Sequence, residues 1–329
     1  IVCSGQLAQG AEVEKFESEM AVFTGRRYGV AVSSGTAALH LGLLALGVGA
    51  GQEVIVPSYV CTALLHAVWG AGAEPVVCDS EPRSGNIDPA GARRALGRHT
   101  AAIIAPHMFG LPAEIEALAS LGVPCIEDCA MSIGANFMGR RLGSFGEISI
   151  CSFYATKMLA AGEGGMVLTD SEDLASTVRQ LREYDGAPAS RLRFNSKMTD
   201  MAAALGRVQL ARLPEFVARR RALAALYDEA FAETSLETPL DSLQHIYYRY
   251  VVKTGQPASK LIAELEREGV AARRPIYNPL HRELRRDDEF FPGATDAHAV
   301  DVSLPLYPAL KDEEAQQVIA AVCAVAANH

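Results

Sequence analysis

Positive charge is scarce: the 329 residues carry 30 Lys and Arg against 39 Asp and Glu, a net charge of −9 at neutral pH. Nucleic-acid binders normally carry a basic surplus, so no nucleic-acid partner is expected. The short basic clusters, such as Arg219-Arg220-Arg221 and Arg285-Arg286, read as solvated faces. Long apolar runs are missing as well. The longest, Ala37 to Gly51, is interrupted by His40 and by glycines and is too short to cross a bilayer. The chain does not open on a basic stretch followed by an apolar core, so no secretory signal is read. The seven cysteines form no CxxC pair. Most lie in apolar runs such as Pro75-Val-Val-Cys78, which suits small buried hydrophobes better than disulfides or zinc ligands. His66, His245, His281 and His298 show no metal-ligand spacing, so no metal is expected. These absences predict a cytoplasmic protein without a membrane partner.

What is present is apolar bulk: 49% of residues are hydrophobic, with 28 Gly and 16 Pro spread along the chain. That composition excludes disorder, collagen and coiled coil and can fill two packed lobes. Strand patterns at Gly29–Val32, Glu53–Val56, Glu74–Cys78, Ala101–Ala105, Val123–Glu127, Ile148–Phe153 and Gly165–Leu168 alternate with helical ones. The alternation predicts an α/β lobe with a mostly parallel seven-stranded sheet and its sites at the strands' carboxyl ends. A helical stretch from Met201 to Ala232, interrupted at Pro214, leads into a smaller α+β section with a strand at Tyr247–Lys253. The expected division is a large lobe over residues 10–221 and a small one over 222–329, with residues 1–9 packing near the small lobe.

Three local patterns carry chemistry. In Val32-Ser-Ser-Gly-Thr36 a strand ends and a helix begins at once. Free N–H groups and the positive end of the helix dipole make such a turn an anion site, or else Ser34 or Thr36 is an ordinary cap. In Pro124-Cys-Ile-Glu-Asp128 an apolar strand ends in two carboxylates. A carboxylate buried there needs a cationic partner, for which a protonated ring nitrogen would serve; a helix-capping Asp or an ion pair with a local Arg gives the same pattern. In Ile150-Cys-Ser-Phe-Tyr-Ala-Thr-Lys157 a lysine follows an apolar strand, with no further charge until Glu163. A partly desolvated lysine can form a Schiff base; a snorkelling lysine gives the same pattern. Together the three are the parts of a pyridoxal 5'-phosphate site: an anchor for the phosphate, a partner for the ring nitrogen and an amine for the aldehyde.

With these blocks the chain resembles the DegT/DnrJ/EryC1/StrS family of pyridoxal-phosphate enzymes, mostly sugar aminotransferases of fold type I. The resemblance runs from Gln9-Gly-Ala-Glu-Val-Glu-Lys-Phe-Glu17 through Ser33-Ser-Gly-Thr-Ala-Ala-Leu-His40, Glu127-Asp-Cys-Ala130 and Gly143-Ser-Phe-Gly146. It continues with Ser152 to Lys157, Gly162-Glu-Gly-Gly-Met166, Phe194 to Gly206 and Ser303-Leu-Pro-Leu-Tyr-Pro308. It implies that Lys157 forms the internal aldimine and moves the proton, with pyridoxamine phosphate as the alternate cofactor form, and that Asp128 pairs with the ring nitrogen. Gly35, Thr36, Ala37 and Ser152 are implied to hold the phosphate, and Tyr59 to stack on the ring if two residues are missing before it. Asn195 is implied to reach the phosphate of a neighbouring subunit in a homodimer. His107 matches a pocket histidine, and Arg249, Tyr277 and His281 fall where the family often borders its substrate.

Three departures stand out. Met131 occupies the position of a Gln that touches the cofactor's ring hydroxyl, Met158 follows the lysine where Asn is common, and Tyr184 to Arg191 abbreviates a longer loop. The implied reaction moves an amino group from an amino-acid donor, glutamate or glutamine, to a keto acceptor. By resemblance that acceptor is a keto-sugar, a nucleotide-linked keto-sugar or a cyclitol ketone in a biosynthetic pathway. Elimination or dehydration, or a cofactor-binding sensor, are the alternatives. Family dehydratases usually carry His in place of the lysine, so Lys157 favours transamination.

Overall fold

The computed structural model describes residues 1, 3, 5, 7–185, 192–240 and 242–326; residues 186–191 of the abbreviated loop lie outside them. The chain runs α1 (Ala11–Thr24), β1 (Tyr28–Val32), α2 (Gly35–Ala45), β2 (Glu53–Pro57), α3 (Ala63–Gly70), β3 (Glu74–Cys78), α4 (Pro89–Ala95), β4 (Thr100–Pro106), α5 (Ile115–Ala119) and β5 (Cys125–Asp128). A small hairpin follows, β6 (Asn136–Phe137) and β7 (Arg140–Arg141), then β8 (Ile148–Ser152), β9 (Gly165–Thr169) and α6 (Glu172–Leu181). The rest is α7 (Asp200–Phe231), β10 (Tyr250–Lys253), α8 (Ala258–Arg267), α9 (Leu280–Glu283), α10 (Pro292–Val300), β11 (Asp301–Leu304) and α11 (Asp312–Ala326).

All seven expected strands form one sheet in the order β1-β9-β8-β5-β4-β2-β3, each within two residues of its expected ends. β9 runs antiparallel to β1 and β8, and the other pairings are parallel. The apolar runs explain the burial. Every residue of Ile148–Ser152 and Gly165–Thr169 is buried, as expected of strands covered on both faces.

The long helix is continuous, where an interruption at Pro214 was expected. A proline inside a helix costs about 3 kcal/mol, but packing holds α7 on both sides of it. Leu210, Leu213 and Val217 join the core under α1, while Leu223, Tyr227 and Phe231 join the core of the C-terminal lobe. That lobe is built on the antiparallel pair β10–β11. β10 starts at Tyr250 rather than Tyr247, because Tyr247 sits at φ +50°, outside extended geometry. The N-terminal segment is held at the start of α7, where the Leu7 carbonyl and the Gly10 amide both bond to Asp200. No helix among the described residues is long and apolar enough to cross a membrane.

Candidate active site

The parallel strands bring Val32, Pro57, Pro106, Asp128 and Ser152 to one edge of the sheet, the edge where α/β folds bind ligands. The cradle forms because β1 stops at Val32 and Ser34 caps α2, its hydroxyl accepting from the Ala37 amide at 3.0 Å. Gly35 is buried against Ser152: a Cβ there would lie 2.7 Å from the Ser152 Cβ. Gly165 is equally constrained, since its Cβ would lie 2.3 Å from the Ser34 carbonyl oxygen. Two glycines therefore let the start of α2 close on the end of β8 and the start of β9. Thr36 is exposed at the mouth of this turn and Ala37 is half-buried. Helix N-termini of this kind offer unpaired N–H groups to an anion.

At the end of β5 two consecutive carboxylates are buried. Glu127 accepts from the amides of Gly143 (2.5 Å) and Phe145 (2.9 Å) and bonds His107 Nε2 at 3.1 Å. Burial pushes its carboxyl up, but His107 and these amides outweigh that and hold it below the usual range. Among the described residues the Asp128 carboxylate accepts a single hydrogen bond, from the Ala130 amide at 2.9 Å. Burial pushes its carboxyl up, and Ala130, Lys157 and His107 offset only part of the rise. A buried carboxylate this poorly paired calls for a cation.

Lys157 stands on the turn after β8, half-buried, its amide bonded to the Tyr154 carbonyl. Its ammonium lies 5.3 Å from the ring centroid of Tyr248, and the Arg249 guanidinium lies 5.5 Å from the same ring. The Arg249 Nε is buried without a hydrogen-bond partner, and Nη1 makes only a 3.4 Å contact with Ser303 Oγ. Cys61, on the turn after β2, belongs here too. It is exposed, and the charges of Asp128 and Lys157 both reach its thiol, acting in opposite directions.

The family model for the DegT/DnrJ/EryC1/StrS aminotransferase family matches residues 1–323. The chain belongs to that family. It is a pyridoxal-phosphate-dependent aminotransferase. Among its relatives are the spore coat polysaccharide biosynthesis protein SpsC of Bacillus subtilis, 34% identical over 97% of this chain and 90% of that protein. GDP-perosamine synthase of Caulobacter vibrioides is 32% identical over 95% and 90%. The solved structure of S. venezuelae DesV in complex with a ketimine intermediate superposes with a TM-score of 0.94 at 32% identity, covering 99% of this chain and 92% of that one.

The family's cofactor fits the residues present. The cradle at Gly35 would be filled by a Cβ, and the under-paired Asp128 suits a protonated ring nitrogen. Met131, half-buried where a Gln is usual, packs against the cores on both sides of the sheet and offers no hydrogen bond of its own kind.

Other expected residues lie elsewhere. Tyr59 is corrected: it is fully buried, its hydroxyl 3.3 Å from the Ala297 carbonyl oxygen and beside Asp301, its ring edge-on to Phe109. Ser80 accepts from the Tyr59 amide, while Ala297 and Asp301 of the C-terminal lobe receive its hydroxyl. Cys61, two residues on, takes the site-facing position. His107 is also corrected. It is fully buried beneath the site, with Nδ1 accepting from the Ala113 amide and Nε2 bonded to Glu127, so no ring nitrogen is left for substrate. With Cys129, His107 and Glu127 bring three ligand atoms within 4.8 Å, a grouping that histidine spacing does not foretell. His281 is sealed between Ser58 Oγ (2.6 Å) and Asp288 Oδ1 (2.9 Å), stacked on Phe291. Tyr277 is 92% exposed. Neither lies with the Lys157 group. Asn195 is exposed on a segment pinned by the bonds of Phe194 and Ser196 to Leu181 and Arg182.

Proposed function

We propose that this chain is a sugar aminotransferase that takes an amino group from glutamate or glutamine and passes it to a keto-sugar, free or nucleotide-linked, or to a cyclitol ketone. The observation that carries the reading is the pairing of an under-bonded buried carboxylate, Asp128, with a lysine that feels its charge, Lys157, beside a helix N-terminus closed by two glycines. The names of the relatives, a perosamine synthase and a polysaccharide biosynthesis protein, support a sugar acceptor in a biosynthetic pathway. Bound at this site, pyridoxal phosphate supplies an aldehyde that takes up amino groups and a ring that accepts electrons.

The chain's own residues do the rest. The N–H groups of Gly35 and Thr36 and the Ser152 hydroxyl would hold the phosphate, joined by the Ala37 amide if it exchanges its bond to Ser34 Oγ for the anion. Asp128 keeps a proton on the ring nitrogen. Lys157 Nζ would be the amine that holds the cofactor and the group that moves a proton between substrate atoms. Arg249, whose Nε has no hydrogen-bond partner among the described residues, offers its guanidinium to the donor's carboxylate. Met131 would not supply the ring hydroxyl with the hydrogen bond that a Gln could give. Asn195 faces solvent, as a residue serving a second copy's phosphate must. The exposed apolar stripe of α7, Met201, Leu205 and Val208, is the face that copy would cover in a homodimer.

The test is the absorption spectrum of the protein with pyridoxal phosphate, before and after L-glutamate, with Lys157→Ala beside it. The lysine-bound cofactor band should give way to the pyridoxamine phosphate band in the wild type only. A bound band that ignores glutamate and glutamine overturns the donor assignment. Normal turnover by Lys157→Ala overturns the lysine's role.

A further inference from the structure

Tyr248 belongs to no motif, yet the fold fixes it from three sides. The carbonyls of Tyr247 and Tyr248 both accept from Arg220 Nη1, at 3.1 and 3.2 Å, and the same nitrogen reaches the Leu306 carbonyl at 2.9 Å. Burial lowers the Arg220 guanidinium to about 10, so this arginine is held where its charge is disfavoured. On the other flank, the amides of Ile246 and Arg249 donate to the carbonyls of Gly110 and Phe109 at the end of β4. That approach depends on Gly110, where a Cβ would lie 2.8 Å from the Tyr248 amide nitrogen. The preceding residue, Tyr247, is held at φ +50° and stacked on His245 at 4.0 Å. Strained backbone of this kind persists only when its surroundings over-determine it.

What all this fixes is one aromatic face. Tyr248 is 8% exposed and packs in the same core as Met158 and Leu159, and its ring centroid lies 5.3 Å from Lys157 Nζ. Among the described residues Lys157 forms no ion pair. The charged and titratable groups around it are Asp128 on β5, Cys61 after β2, Arg249, and Tyr248 itself. Asp128 is committed to the cofactor ring under the reading above. The ring face of Tyr248 is then what remains to hold a lysine cation, through the attraction of an ammonium for an aromatic quadrupole.

We propose that Tyr248 is the positioning residue for Lys157: its ring face is the resting place of the lysine ammonium whenever the amine is not joined to the cofactor. The inference rests on Lys157 being the cofactor lysine. It goes beyond that role by saying where the freed amine waits and which residue keeps it within reach of the proton it must move. Tyr248 acts through Lys157 and needs no contact with substrate.

The experiment uses the cofactor-free full chain, so its outcome does not depend on catalysis. Trace acetylation with acetic anhydride across a pH series, read by mass spectrometry of the peptide carrying Lys157, reports the unprotonated fraction of that amine. In Tyr248→Leu the labelling profile should move to lower pH by about half a unit to one unit, three- to ten-fold more label at a fixed pH on the rising limb. Tyr248→Phe keeps the ring and should retain the wild-type profile, and thermal melts of both variants establish that they are folded. Superimposed profiles for wild type and Tyr248→Leu overturn the proposal, as does a Phe variant that behaves like Leu. A shifted profile in a protein that ignores amino donors keeps this inference and sinks the aminotransferase reading; the reverse result does the opposite.

Discussion

On one side of the β5 end, Glu127 is bonded to a histidine and to the amides of the loop before β8. On the other side, one residue later, Asp128 holds a single amide. Successive residues of a strand face opposite ways, so the same two-residue sequence serves two regions. One is finished by the chain itself. The other is left short of partners, and its raised carboxyl measures that shortage as Glu127's lowered one measures its supply. A buried acid is thus no sign of function until its partners are counted.

The comparison breaks most sharply under substitution. Glu127→Gln puts an amide group among backbone donors and His107, and breaking a buried charge network of this kind costs about 3–5 kcal/mol. Urea or thermal unfolding should show that loss with or without cofactor. Asp128→Asn should do the reverse. It lowers the donor half-reaction roughly a hundred- to a thousand-fold, the range for removing one preorganised electrostatic group, while the cofactor-free protein unfolds no earlier than wild type. A similar loss of stability in both variants would erase the distinction.

A smaller effect sharpens it by sign. Glu127's carboxyl is lower in the folded than in the unfolded protein, so its contribution is present above its ordinary value of 4.5 and is lost as pH falls through the folded value. Asp128's is raised, so its contribution to the cofactor-free protein is full below its ordinary value of 3.8 and is lost as pH rises through the folded value. Stability measured against pH should therefore lose acid sensitivity in Glu127→Gln. In Asp128→Asn it should lose a decline on the rising side.

The fold and half of the site were legible because they are local. Strand and turn are written together at Val32–Thr36, and Lys157 follows its own strand directly. Tyr59 misled because the choice between it and Cys61 is made by Ser80 and Ala297, one of them more than two hundred residues away. His281 and His107 misled for the same reason: their partners, Ser58 and Glu127, come from other elements, and no spacing along the chain reveals that both rings are sealed. Tyr248 gave no signal at all. Its position follows from a left-handed residue before it and from a glycine in another lobe.

The place of β9 in the sheet sets an order of assembly. Among the described residues β1 lies at the edge and pairs only with β9, which lies between it and β8. On the ribosome, at about 5–20 residues per second, Tyr28–Val32 emerges many seconds before Gly165–Thr169 exists to receive it. Until then the cradle residues have neither the strand that pins them nor the serine they press against. Contacts so distant along the chain form late and slowly. The phosphate cradle is therefore complete only once β8 and β9 have joined the sheet and brought Ser152 and Gly165 against the start of α2.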